Sequence, residues 1–341
     1  MRRIAAIAAV VGVVAAACGG SGGGTHRSSP AKRTSIVVLG DSVAAGEGIA
    51  YGYTYASGDR PPRWTGGVVD PSWLPPYPLC HQTAQAYGDV VAQDLHAALA
   101  SFACTGSSYE HGIVGPATNA NRDDVTVLRP AQFGDWQTRT NLNPAYDRAA
   151  PDVVLVTLGA DDLGFVPVVE SCVEAAVLRN GTCTATNPGP TIRSRVLAAL
   201  PVLATHYREL AAAIRDRAHA DHRSAPRIVF TTYYDPLPEP TADVSLLACP
   251  DAAGLSHAEI AYLRSLVDRL NATIEDSLRS EQDVTIADVS HALDGHEWCT
   301  PDPWAYGASV LLLNPASQAP FHPTAAGQQA IARVVLAQLH K

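Results

Sequence analysis

The stretch Ser35-Ile36-Val37-Val38-Leu39-Gly40-Asp41-Ser42 decides how this chain folds. Its first five residues form a β-branched, apolar run that reads as a buried strand, and the run breaks at once into turn residues. Ser42 therefore sits on a turn at a strand's carboxyl end, with the conformationally permissive Gly46 and Gly48 just beyond it. In an open parallel sheet this edge is where ligands bind, and a turn there presents a side chain and backbone N–H groups to one substrate. Taken alone, Gly-Asp-Ser is also ordinary turn chemistry.

Working outward, strand-like and helix-like segments alternate, which predicts an α/β fold with a parallel central sheet covered by helices. Further strands are expected at 153 to 158, 227 to 232 and 284 to 288, with a weaker one near 100 to 104. Amphipathic helices are expected from Thr191 to Ala218 with a break at Pro201, from His257 to Ser280, and from Thr324 to Leu339. Between them lie long irregular segments, 49 to 79, 105 to 150, 233 to 256 and 291 to 321. Loops of that length in a compact domain are usually functional or tied down. The first of them holds Tyr51, Tyr53, Tyr55, Trp64 and Trp73, rings suited either to a substrate pocket or to packing on the sheet.

The chain has 341 residues and a net charge of −9, with Lys and Arg scattered rather than striped, so the footprint of a nucleic-acid binder is missing. Residues 1–18 combine Arg2-Arg3, an apolar run and Ala15-Ala16-Ala17-Cys18, the pattern of a bacterial export signal. Small residues before a cysteine resemble a lipoprotein signal, with Cys18 as the lipidated residue; cleavage after Ala17 by an ordinary signal peptidase is the alternative. Residues 19–34 then form a Gly/Ser tether and 35–341 the folded domain. Six cysteines follow Cys18, an even number that argues for disulfides in an exported chain and allows fifteen connectivities. No CxxC or HxxxH spacing supports a metal site.

Gly40-Asp41-Ser42, Ala103-Cys104-Thr105-Gly106-Ser107, Gly159-Ala160-Asp161-Asp162 and Phe321-His322-Pro323-Thr324 occur in the order of one separated active site. On these words the chain resembles the SGNH, or GDSL-type, hydrolases, particularly exported actinobacterial esterases and lipases with three disulfides. The resemblance implies a flavodoxin-like three-layer α/β/α sandwich. It implies Ser42 as nucleophile, His322 as general base, and the backbone N–H groups of Ser42 and Gly106 in an oxyanion hole. It also implies sequential disulfides, Cys80–Cys104, Cys172–Cys183 and Cys249–Cys299. No metal or organic cofactor is required. The partners it implies are an ester substrate (a lipid, a small acyl ester or an acetylated glycan) and a membrane through Cys18; the domain is expected to be a monomer.

Two positions depart from the family pattern. The Asp often found three residues before the base is Ala319 here, so its backbone carbonyl is expected to orient His322, with Asp294 or Asp302 as a more distant acid. The Asn that donates to the oxyanion is Asp161, which when ionised only accepts hydrogen bonds. The expected function is an envelope-anchored serine esterase or lipase working through a Ser42-His322 dyad and an acyl-enzyme. The alternative is a catalytically weak or inactive lipoprotein of the same fold that binds a lipid or cell-wall glycan.

Overall fold

The computed structural model of the chain describes residues 33–49, 80–118, 128–165, 167–169, 171–172, 183, 189–242, 244–245, 247–252, 254–309 and 319–341. The signal segment, Cys18, most of the tether and the aromatic-rich 50–79 stretch lie outside the described residues.

The central sheet has five parallel strands, β1 (Ser35–Gly40), β2 (Ala98–Ser101), β5 (Val153–Thr157), β6 (Arg227–Thr231) and β7 (Val284–Ala287), in the order β2-β1-β5-β6-β7. β3 (Ala117–Thr118) and β4 (Leu128–Arg129) form a separate antiparallel ribbon. All six residues of β1 and all five of β5 are buried, as befits central strands covered on both faces. Each fully buried Val, Leu or Ile there contributes about 1.5–3 kcal/mol of hydrophobic stabilisation. The weak strand sits two residues earlier than expected. Phe102 and Cys104 continue its edge with bonds to Val38 and Gly40 after the ladder has ended.

The helices are α1 (Ser42–Ala45), α2 (Tyr87–Asp94), α3 (Pro144–Ala149), α4 (Gly189–Ala220), α5 (His257–Leu278) and α6 (Ala325–Leu339). Register assigns them to layers. Val38, Leu155 and Val229 are paired neighbours on one face, and Val38 lies against Gly88 of α2, which packs with α6. Leu39, Val156 and Phe230 share the other face, where Phe230 meets Tyr207 of α4, which packs with α5. This is the three-layer α/β/α sandwich.

α4 runs through Pro201 where the sequence predicts a break. The proline removes one N–H bond, but Leu203, Tyr207, Leu210 and Ile214 are all buried beyond it, and their packing outweighs that loss.

Three disulfides join Cys80 to Cys104, Cys172 to Cys183 and Cys249 to Cys299. The last spans 50 residues and ties the segment before α5 to the loop that carries Trp298 and Trp304. For a loop of that length the chain-entropy model gives about 4 kcal/mol of stabilisation. Replacing Cys249 and Cys299 together by Ser is expected to lower the unfolding free energy by about 3–4 kcal/mol, read as an earlier midpoint in urea with a steeper slope, because the uncrosslinked unfolded chain exposes more surface. A shift below about 1 kcal/mol would mean that the loop is held without the crosslink.

Candidate active site

Strand order assembles the site. Because β1 lies between β2 and β5, the turn after β1 is flanked by the segment carrying Gly106 on one side and by the turn carrying Asp161 on the other. Gly40 pairs with Thr157, and a Cβ on Gly40 would stand 2.2 Å from the Thr157 carbonyl oxygen. Asp41 N–H then donates to that same carbonyl at 3.1 Å. Gln132, buried under the turn, accepts from Gly40 N–H and donates to Gly40 C=O, each at 2.8 Å. Ser42 opens α1, with Asp41 as its cap accepting from Val43 N–H at 3.0 Å.

His322 reaches this turn from the far end of the chain, and its Nε2 lies 2.7 Å from Ser42 Oγ. Its loop is held on several sides. Tyr306 N–H donates to the His322 carbonyl at 2.8 Å, Tyr234 hydroxyl to the Phe321 carbonyl at 2.7 Å, and Thr324 N–H to the Trp304 carbonyl at 2.8 Å. From the first turns of α6, Gln328 accepts from Tyr87 N–H at 2.8 Å and donates to the Val43 carbonyl at 2.9 Å. One side chain thus locks the helix that follows His322 to the helix that opens with Ser42.

The carbonyl facing His322 Nδ1 belongs to Pro320, at 3.1 Å. The Ala319 carbonyl, to which the sequence assigned this part, accepts the His322 backbone N–H at 2.9 Å. Phe321, between the Pro320 carbonyl and the ring, adopts φ +70°. Of the two distant acids, Asp294 lies 3.1 Å from His291 and Asp302 3.4 Å from His296, with all four side chains partly or largely exposed.

Asp161 lies in the turn after β5, where Gly159 has φ +134° and a Cβ would collide with Tyr207 hydroxyl at 2.3 Å. Leu163 N–H closes this turn onto the Gly159 carbonyl at 3.0 Å, and Asp162 accepts from Tyr109 N–H at 2.9 Å. Burial pushes Asp162 up to about 6. Gly106 has φ +76°, beside the Cys80–Cys104 disulfide.

A residue that sequence reasoning missed joins these parts. Tyr233, in the first position pair after β6, donates its hydroxyl to Asp41 Oδ2 and accepts from Ala160 N–H at 3.2 Å. Asn271 of α5 holds the Tyr233 backbone through two 2.7 Å bonds. Its position at the carboxyl edge of a central strand was the available signal. Asp41 is wholly buried, and burial pushes it from 3.8 up to about 7, against the Tyr233 and Val43 hydrogen bonds that lower it.

The family model of GDSL-like lipases and acylhydrolases matches residues 38–330. The chain belongs to that family and is a carboxylic-ester hydrolase. Among solved structures it is similar to an extracellular lipase from Streptomyces rimosus, 20% identical, covering 90% of this chain and all of that one at a TM-score of 0.51. It is also similar to phospholipase A1 from Streptomyces albidoflavus, 18% identical, covering 91% of this chain and all of that one at a TM-score of 0.53. These two likenesses establish the fold. No curated protein sequence matches it.

The Asp41 shift has a definite sign. A carboxyl whose folded pKa is raised contributes stability that is fully present below its unfolded value and is lost as pH rises through about 7. Asp41→Asn keeps the cap and removes the titration. Its melting temperature relative to the parent is expected to climb between pH 4 and pH 7 and to level off above that. A difference independent of pH would show that Asp41 does not titrate in that window.

Proposed function

We propose that the protein is an exported, envelope-anchored serine esterase or lipase that cleaves carboxylic esters through a Ser42-His322 dyad and an acyl-enzyme. Residues 1–18 serve as the lipoprotein signal, 19–34 as the tether from lipidated Cys18, and 35–341 as a monomeric hydrolase domain. The observation that carries the chemistry is the 2.7 Å approach of His322 Nε2 to Ser42 Oγ. Three disulfides support an oxidising compartment outside the cytosol.

In the first half-reaction Ser42 Oγ bonds to the ester carbonyl carbon while its proton passes to His322 Nε2. The Pro320 carbonyl, facing Nδ1, holds the ring by accepting a hydrogen bond from its Nδ1–H. Backbone N–H groups of Ser42 and Gly106 stabilise the oxyanion. The tetrahedral adduct collapses, its C–O bond to the alcohol breaks, and the leaving oxygen takes the proton from His322. Water then bonds to the acyl carbon as His322 removes its proton, and release of the carboxylic acid returns the proton to Ser42. Phe165 and Phe321, partly exposed and edge to face at 5.9 Å, offer an apolar surface beside the base for an acyl or alkyl group.

The domain from Thr34 onward, given p-nitrophenyl esters of graded chain length, is expected to turn over at least one of them. Ser42→Ala falls to background and His322→Ala loses about 10³-fold or more in kcat. Turnover that persists in Ser42→Ala overturns the nucleophile. Silence of the folded parent on every ester would favour the lipid- or glycan-binding alternative.

Asp161 bears on rate. One missing oxyanion donor costs about 10²- to 10³-fold, so the parent is expected to be slow at neutral pH. Asp161→Asn restores an N–H donor and is expected to raise kcat by about 10-fold or more at pH 7.5. An unchanged or lower kcat would remove position 161 from the oxyanion hole.

A further inference from the structure

Ala319 leaves the base without a carboxylate three residues before it, yet a buried carboxylate stands on the nucleophile's turn. Glu47 is 6% exposed, and its backbone N–H donates to the Ser42 carbonyl at 3.0 Å. Its Oε2 is met by His81 Nδ1 and accepts from Thr105 Oγ1 at 2.8 Å. Thr105 is the neighbour of Gly106, and its own N–H reaches the Cys80 carbonyl at 3.4 Å. The next residue, Gly48, is pressed so closely on the base's loop that a Cβ there would stand 2.8 Å from Ala319 Cβ and 3.0 Å from the Tyr306 ring. Glu47 is thus fixed where the serine turn, the Gly106 segment and the loop before His322 converge.

A buried charge is retained only where its surroundings compensate it. Burial alone would raise the Glu47 pKa, but the His81 hydrogen bond, the attraction of His81 and that of His322 outweigh it and hold the carboxyl below 4.5. The attraction is mutual, so charge on Glu47 favours charge on His322.

We propose that Glu47 is the carboxylate that stabilises His322 while the ring carries the Ser42 proton, acting across the loop contact in place of an acid at position 319. It touches no substrate and takes no proton; it is a positioning residue that acts through the base. The titratable group in contact with it is His81, from the turn after Cys80, and the charge of His322, from the loop before α6, also acts on it. Asp41, at the other end of the serine turn, is engaged by Tyr233 and is common to every variant below. The inference rests on the proposed Ser42-His322 chemistry.

The test is Glu47→Gln, which keeps the length and hydrogen-bonding capacity of the side chain and removes its charge, on the p-nitrophenyl ester that the parent cleaves fastest. Rates are normalised to folded protein by circular dichroism. The expected result is kcat about tenfold lower with KM little changed, and an acidic limb of kcat/KM displaced to lower pH. The displacement follows because the base has lost the charge that favoured its protonated form. Glu47→Asp is expected to restore the parent's limb and part of kcat. A folded Glu47→Gln with the parent's kcat and limb overturns the proposal, as does a loss of rate that follows only the folded fraction with the limb unmoved. Should Glu47→Gln not fold, His81→Arg decides. It sets a permanent cation on the carboxylate and is expected to move the limb the same way, and an unmoved limb overturns the proposal. Ser42→Ala runs in parallel: turnover in that variant sinks the underlying serine chemistry, whereas its silence beside an unaltered Glu47→Gln sinks the role of Glu47 alone.

Discussion

The close passage of Gly40 over the Thr157 carbonyl is the constraint on which the site depends. No side chain fits there, and φ of +149° admits little but glycine. That contact fixes the angle at which the chain leaves β1, and Gln132 seals it from the other side with its paired bonds to Gly40. The serine turn and the Asp161 turn consequently leave the sheet side by side. Tyr233 then ties one to the other through Asp41 and Ala160, so neither loop can move without the other.

Beneath this edge the core is unusually polar for a buried sheet. Tyr87 hydroxyl, Thr157 Oγ1 and Thr231 Oγ1 run across three elements at 2.8 Å spacings. Such networks stabilise one arrangement strongly when every member is satisfied and are costly when one is not. Here the bonded chain lies under the strand ends that carry Ser42 and Asp161. Gln328 extends the same device to the base by linking α6, α2 and the carbonyl of Val43.

The strands at 35–40, 153–157, 227–231 and 284–287 were legible because each is a β-branched or aromatic run of strand length. The second strand, Ala98-Leu99-Ala100-Ser101, was weakly legible since small residues carry little strand signal. The long helices declared themselves by period, whereas α1, α2 and α3 are too short for one. Ser42, Gly106, Asp161 and His322 stood out as local words. Gln132, Tyr233 and Gln328 did not, because each acts through partners 92, 192 and 241 residues away, and no local pattern encodes such a contact. Glu47 left a faint trace, a charge between two glycines that both take positive φ. The approach of the Pro320 carbonyl to the ring and the left-handed backbone at Phe321 were not legible, since a phenylalanine gives no reason to expect positive φ.

The pairing of Ser42 with His322 spans 280 residues, nearly the whole of the described domain. The five strands of the sheet whose edge carries the serine turn all precede His322 in the chain. Ser42 and His322 therefore come together only once the C-terminal helix has docked. Completion of folding and acquisition of reactivity are one event in this architecture.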